Sequence, residues 1–200
     1  MAGGTGAERF ASRLINAVHA YLGHGYRAAM MTGIEDDDGF RVVYVLVCPA
    51  DDTRIELTLA VPLVRPTVPS LASISYPLGR FEREVRDLYG ITPMDHPLPY
   101  RLVRHGHWPQ GWYPMRRDAD PNPRFDADVG SFPFLEVEGD GVYEIPVGPV
   151  HAGLIEPGHF RFSVVGETIL RMKARLWFVH RGVEKLFEGM DVIGCWQFSQ

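Results

Sequence analysis

In the N-terminal third of the chain, the spacing of apolar residues predicts one helix followed by three strands. Phe10, Leu14 and Val18 recur at the three-to-four-residue spacing of an amphipathic helix. With Gly23 as a stop signal, this spacing predicts a helix over residues 7–22. Three apolar-rich segments joined by acidic turns follow as predicted strands: residues 26–34, 40–48 and 54–61. A helix packed on a small sheet is therefore the expected core of this region.

A second helix is predicted between Pro77 and Gly90. Phe81, Val85 and Leu88 form one apolar stripe. Proline is favoured in the first turn of a helix and glycine just after the last turn. Both ends of the helix are therefore marked in the sequence.

Many of the other residues of this helix are charged. Two pairs of opposite charges lie four residues apart: Glu82–Arg86 and Arg83–Asp87. Such pairs contribute about 0.2–0.5 kcal/mol each on a helix surface. The pattern predicts a solvated, charged face.

The composition changes over residues 118–144. Eight Asp and Glu residues face a single basic residue, Arg124, with three prolines and three glycines between them. Such a segment is typical of an extended linker. The sequence therefore divides into an N-terminal domain over residues 1–118, an acidic linker over 119–144 and a C-terminal part over 145–200.

The C-terminal part contains a predicted β-hairpin. Apolar and polar residues alternate on both sides of Gly166-Glu167, and a two-residue loop with glycine first is typical of a type II′ turn. A helical spacing follows, so we predict a helix that begins near Val179. A hairpin and one helix cannot bury a core of their own. We expect this part to dock on the first domain or to begin a larger, truncated domain; the predicted fold class is α+β.

Composition and charge argue against several classes of function. A net charge of -5, a pI near 5.9 and the lack of a Lys/Arg-rich run argue against nucleic acid as a partner. Cys48 and Cys195 lie far apart and belong to no metal-binding pair, as in a reduced cytosolic protein. No apolar run approaches the roughly 20 residues needed to span a bilayer. The sequence has no GxGxxG, Walker, GxSxG or cysteine-cluster pattern that would indicate binding of NAD, ATP or an iron–sulfur cluster.

Three histidines lie in a segment rich in Pro and Trp: His96, His105 and His107. An HxH pair with a third imidazole can hold zinc, but Asp95 is the only carboxylate nearby and no cysteine joins them. We interpret these histidines as packing or interface residues and predict no metal site.

The loop GPVHAGLIEPGHFRF carries His151, Glu156 and His159. Its prolines and glycines hold the backbone in a tight path just before a strand, which can place polar side chains in a cleft. A purely structural loop would have the same composition. The residues alone leave both interpretations open.

The segment HRGVEKL places three functional groups near one another. His180 and Arg181 lie four and three residues before Glu184, so that a base, a permanent cation and an acid can converge on one helical face. Such a set suits proton relay or the tuning of a redox centre. An ordinary exposed, charged turn is the alternative.

Several sequence blocks resemble a known pair of proteins. FEREVRDLYGI, followed by DHP and then GWYPMRRD, is similar to the signature of the 30-kDa subunit of respiratory complex I. Residues 144–189 resemble the start of its partner, the 49-kDa subunit, and still more closely the large subunit of complex-I-like membrane-bound hydrogenases such as formate hydrogenlyase. The two subunits are fused in this order in several bacteria.

The resemblance to the large subunit implies a cofactor-binding cleft loop. Aligning GPVHAGLIEPG with the family's GPxHPxxHG puts His151 at the first histidine. It puts Ile155 where the 49-kDa subunits have a histidine in contact with quinone. Glu156 and His159 follow the hydrogenase-like pattern instead. The resemblance therefore implies that the quinone-contacting histidine is missing.

The same resemblance implies roles for two residues of HRGVEKL. The arginine of HRG lies, in the family, near the terminal iron–sulfur cluster of a neighbouring small subunit, which implies this place for Arg181. The glutamate of RGxE relays protons to and from a nickel-bound cysteine in nickel–iron hydrogenases, which implies a proton relay at Glu184.

The resemblance to the 30-kDa subunit implies docking without chemistry, because that subunit has no catalytic residues in the family. Its ERE helix and PMRRD segment look like docking surface. We therefore assign no chemistry to four residues: Glu82, Arg83, Glu84 and Arg116.

Together the resemblances imply an electron-transfer subunit of a complex-I-related membrane oxidoreductase, on the cytoplasmic face of the inner membrane. Its expected partners are a small iron–sulfur subunit and other peripheral-arm and membrane subunits. No cofactor is expected on this chain, since the cluster belongs to the partner and a quinone or nickel–iron centre to a full-length protein. Gln200 corresponds to the position just before the family's R-x-C-G-x-C or R-L-D-Y segment, so we expect a truncated, inactive fragment. A non-catalytic docking or assembly subunit is the alternative.

Overall fold

The computed structural model describes residues 6–125, 127, 132–150 and 156–199, without the side chains of residues 6–10 and 150. These residues form two units. The first comprises the described residues up to 104 together with 108–125, and the second comprises residues 105–107 and the described residues from 127 onward. Within these ranges, no helix is both long and apolar enough to cross a bilayer.

The first unit is built on a three-stranded antiparallel sheet. Helix α1 (Gly6–Gly23) is followed by the strands, which lie side by side in chain order: β1 (Arg27–Glu35), β2 (Gly39–Cys48) and β3 (Thr53–Pro62). In this register Tyr44 lies opposite Met31 on one side and Leu57 on the other. The predicted helix and three strands are confirmed to within one residue at each end.

The second helix, α2 (Tyr76–Tyr89), has capping residues at both ends. Ser75 is the N-cap, and its Oγ accepts a hydrogen bond from the backbone N–H of Leu78. Gly90 ends the helix with φ 78°, a left-handed conformation that glycine adopts at little cost. The predicted helix is confirmed.

The core of the first unit lies between α2 and one face of the sheet. Alternate residues of β2 point to this face and are almost fully buried: Phe40, Val42, Tyr44 and Leu46. Gly33 on β1 makes room for the helix, because a Cβ at this position would lie 3.1 Å from the Tyr89 ring. Two three-residue strands that precede and follow α2 pair in parallel: β4 (Thr67–Pro69) and β5 (Thr92–Met94).

The second unit contains a three-stranded antiparallel sheet in place of the expected two-stranded hairpin. Its strands lie in chain order: β6 (Val142–Val150), β7 (Gly158–Val165) and β8 (Thr168–Arg175). The predicted hairpin is confirmed, and Gly166 in its turn has φ 57°. The sequence prediction missed β6 because its prolines and its acidic N-terminal flank are typical of a linker.

One face of this sheet, here called the apolar face, is formed by alternating residues of the three strands: Tyr143, Ile145, Val147, Phe160, Phe162 and Met172. Ile145 and Met172 flank Phe162 in the register and are 42% and 58% exposed. This sheet therefore leaves large apolar side chains in contact with solvent.

Two short helices replace the single helix that was predicted to begin near Val179. They are α3 (Val183–Leu186) and α4 (Val192–Phe198). Gly182 and Gly189 have φ values of 69° and 79°, so the chain leaves the right-handed helical conformation before and after α3. The helical spacing of the apolar residues continues across these glycines, which is why the pattern predicted one helix.

Candidate functional site

Three of the six charged residues of α2 are buried and the other three are half-buried, so the prediction of a solvated face was wrong. Glu82, Arg83 and Asp87 are 1%, 4% and 2% exposed. Burial of a charge is tolerated only where hydrogen bonds or opposite charges replace water. In this unit the replacement comes from the backbone of the loops on either side of the helix.

Glu82 binds the segment that precedes α2. Its Oε1 accepts a hydrogen bond from the N–H of Leu71 at 2.5 Å, and its Oε2 accepts one from the Ser70 hydroxyl at 2.7 Å. Burial raises the pKa of Glu82, and the two hydrogen bonds oppose that rise. Glu82 thus fixes the chain ahead of the helix.

Arg83 and Asp87 bind the loop that follows β5. Arg83 donates from Nε to the Tyr100 carbonyl at 2.6 Å and from Nη2 to the Arg101 carbonyl at 2.8 Å. Asp87 Oδ2 accepts three consecutive backbone N–H groups at 2.6–3.1 Å: those of Leu102, Val103 and Arg104. This loop has no regular secondary structure. Side chains of α2 supply the hydrogen-bond partners that a neighbouring strand would otherwise give to its backbone.

Two further arginines bind backbone carbonyls in the same way. Arg116 donates to the Tyr89 carbonyl at 2.7 Å, and its guanidinium lies 4.8 Å from the centre of the Tyr113 ring. Arg104 donates to the carbonyls of Trp112 and Trp108 at 2.9 and 3.0 Å. These contacts give Glu82, Arg83 and Arg116 internal structural roles. Glu84, the fourth residue to which no chemistry was assigned, is half-buried.

The three histidines considered as zinc ligands are occupied otherwise. His96 bonds through Nε2 to the Gly79 carbonyl and through Nδ1 to the N–H of Leu98, which uses both ring nitrogens. The rings of His105 and His107 stack with their centres 5.5 Å apart. No group of three or more His, Cys, Asp or Glu residues in the described part of the chain is arranged to hold a metal ion.

The cleft loop is described only in part. His151 and Ile155 lie outside the described residues, and Glu156 is exposed. His159, on β7, lies beside Arg161, with 3.2 Å between His159 Nε2 and the donating Arg161 Nε.

A cluster of charges that the sequence prediction missed lies on the other face of the second sheet. Glu144 forms ion pairs with Lys173 and with Arg161, and it accepts a hydrogen bond from Ser163 at 3.3 Å. Lys173 is 8% exposed and also donates to the Leu135 carbonyl at 2.8 Å. The sequence signal was the alternation of basic residues along β8, but Glu144 had been placed in the linker.

The HRGVEKL segment brings two of its three functional groups together. His180 Nε2 lies 2.5 Å from Glu184 Oε1, and this hydrogen bond lowers the pKa of the Glu184 carboxyl. Arg181 is exposed. A carboxylate held against an imidazole can stabilise the imidazolium and pass a proton through it near neutral pH.

The sequence of the first unit matches a known family. Residues 11–124 match the family model "Respiratory-chain NADH dehydrogenase, 30 Kd subunit". This match covers more than half of the chain, which therefore belongs to that family.

Individual relatives extend this likeness into the second unit. The chain is 44% identical to hydrogenase-4 component G of Escherichia coli K12, in an alignment that covers 54% of this chain and 20% of that relative. It is 37% identical to formate hydrogenlyase subunit 5 of the same organism over 76% of its length and 28% of that protein. It is 34% identical to the C/D-type NADH-quinone oxidoreductase subunit of Bacteroides thetaiotaomicron over 76% of its length and 32% of that protein.

The predicted resemblance to a fused C/D-type subunit is thereby confirmed. A match over 76% of the chain is longer than residues 1–124, so the likeness continues beyond the 30-kDa-type region. The chain spans less than a third of the length of each of these three relatives.

Proposed function

We propose that the protein is an electron-transfer subunit of a complex-I-related membrane oxidoreductase. Relatives named as parts of hydrogenase-4, formate hydrogenlyase and NADH-quinone oxidoreductase support this. The observation that carries the proposal is the continuity of the likeness across both units. The proposed organisation is a 30-kDa-subunit-like domain over 1–118, a linker over 119–144 and a large-subunit-like fragment over 145–200.

Of the two types of complex, the membrane-bound hydrogenase is the better supported. The hydrogenase-type relatives are 44% and 37% identical, against 34% for the C/D-type relative. Ile155 lies at the position implied for the quinone-contacting histidine, which also favours the hydrogenase type. A nickel–iron or quinone centre would belong to the longer proteins, and this chain is proposed to hold no cofactor itself.

The proposed contact with a redox partner is the HRGVEKL segment. Arg181, as an exposed cation, would lie beside an iron–sulfur cluster carried by a small partner subunit. Glu184, hydrogen-bonded to His180, would relay protons. His151, Glu156 and His159 would line a cofactor cleft in the longer proteins. The complex would lie on the cytoplasmic face of the inner membrane, held there by its other subunits.

The proposal is tested by co-expression of the full chain with the small iron–sulfur subunit from the same organism. We expect a stable complex in which Arg181→Gln lowers the midpoint potential of the cluster, because a nearby positive charge favours the reduced form. Arg181→Lys keeps the charge and is the matched control. Failure of the two proteins to associate, or equal potentials in wild type and Arg181→Gln, would contradict the proposal.

A non-catalytic docking or assembly subunit is the second candidate. The exposed apolar face of the second unit favours it, since large exposed apolar patches mark protein–protein contacts. This candidate predicts a stable complex whose cluster potential and turnover are unchanged by both Arg181→Gln and Glu184→Gln.

A further inference from the structure

We propose that His96, in its neutral form, is a pH-sensitive latch that closes the turn over residues 96–98 beside α2, and that protonation of its ring opens this turn. The proposal concerns the first unit alone and is independent of the proposed redox function.

The hydrogen bonds of His96 define its protonation state. Its Nδ1 lies 3.0 Å from the backbone nitrogen of Leu98, and because a backbone N–H can only donate, Nδ1 must accept. The ring proton is therefore on Nε2, which donates to the Gly79 carbonyl at 2.9 Å. One neutral tautomer thus joins the loop to the helix.

The backbone of α2 leaves room for this ring at Gly79. The side chain of His96 is 4% exposed. A Cβ at Gly79 would lie 2.8 Å from the Ala72 Cβ and 3.4 Å from His96 Nε2, so a larger residue at 79 would crowd both neighbours. The close approach of imidazole and helix therefore depends on glycine at this position.

Charged groups of α2 face the ring. The α2 helix presents one acid and three cations: Glu82, Arg80, Arg83 and Arg86. Glu82 Oε2 lies 3.7 Å from His96 Nε2 and is already bonded to Ser70. From the sheet, Tyr44 faces Glu82, and on the loop itself Asp95 adjoins His96. Burial lowers the pKa of His96 and the three arginines lower it further, whereas the bond to Gly79 opposes them.

Protonation breaks the latch at a defined atom. A second ring proton must go to Nδ1, where it would face the N–H of Leu98 and remove the acceptor of that hydrogen bond. The released ring regains a pKa near its ordinary value of 6.5. Since opening takes up one proton, the opening constant rises about tenfold per pH unit between that value and the lower pKa of the latched ring.

The test is hydrogen exchange of the Leu98 amide in the full chain from pH 7.5 to 5, expressed as protection relative to the intrinsic rate. We expect protection of Leu98 to fall with decreasing pH in the wild type, while protection of the Gly90 amide, which donates to the Arg86 carbonyl, stays constant. NMR of the imidazole nitrogens should show the Nε2–H tautomer at pH 7.5.

Two variants distinguish the presence of a hydrogen-bond acceptor at residue 96 from the titration of the His96 ring. His96→Asn keeps an oxygen near the position of Nδ1 without titrating, so Leu98 should remain protected at every pH. His96→Ala should lose the protection at every pH. Constant protection of Leu98 in the wild type, an Nδ1–H tautomer, or the same pH dependence in His96→Asn would each overturn the proposal.

Discussion

Three ionisable side chains of one helix are almost fully buried in the first unit, whereas one face of the sheet in the second unit exposes large apolar side chains. Glu82, Arg83 and Asp87 are buried because loop backbone groups replace their water. Ile145 and Met172 lie on the apolar face with no such cover. The first unit therefore binds the three charged side chains of α2 with its own loops, while the apolar face of the second unit is a surface of the kind that a partner protein covers.

The largest effect is expected from removing the acceptor of the 102–104 loop. Asp87→Ala leaves three N–H groups without their partner and should lower the free energy of unfolding of the first unit by about 3 kcal/mol or more. Asp87→Asn keeps one acceptor oxygen and should cost less. Urea unfolding measures both, and an Asp87→Ala variant as stable as the exposed control Asp37→Ala would show that the loop does not depend on this carboxylate.

A smaller loss is expected at the end of α2. Gly90→Ala places a Cβ in a left-handed conformation and 2.7 Å from the Tyr113 ring, so we expect a loss of about 2 kcal/mol. Gly111 has a similar φ of 74°, and a Cβ there would meet no atom within 4 Å, so Gly111→Ala measures the backbone strain alone. Equal losses in the two variants would exclude close packing at Gly90.

The smallest effect is expected on the apolar face. Met172 is 58% exposed, so Met172→Thr should change thermal stability little, whereas Val42→Thr in the core of the first unit should lower it clearly. A large loss in Met172→Thr would mean that the face is covered within the isolated chain, and the contrast between the units would fail.

The elements of the first unit were predictable because their signals are local. The spacing of apolar residues and the glycine stops are contained in each helix or strand, and they located α1, the first three strands and α2. The burial of Glu82 and Asp87 was not predictable, because their partners lie in irregular loops 11 to 17 residues away in sequence. Spacing alone could not distinguish these buried acids from a solvated face.

In the candidate site of the second unit, too, the contact between residues close in sequence was predicted and the contact between distant residues was not. His180 and Glu184 were predicted to converge on one helical face, and the structure joins their side chains although His180 precedes α3 and Gly182 interrupts the helical conformation between them. The ion pair between Glu144 and Lys173 joins two strands that lie on either side of β7 and depends on a strand that was not predicted. Pairing across a sheet is set by register, which single-sequence patterns specify weakly when one strand carries prolines.

Limited proteolysis of the full chain, alone and then with its iron–sulfur partner, tests the contrast between the units most directly. For the chain alone, we expect cleavage first within residues 119–144 and then removal of the following residues, while the N-terminal domain persists. Binding of the partner should protect the second unit selectively. A C-terminal part that resists protease as well as the N-terminal domain does, without any partner, would contradict the account.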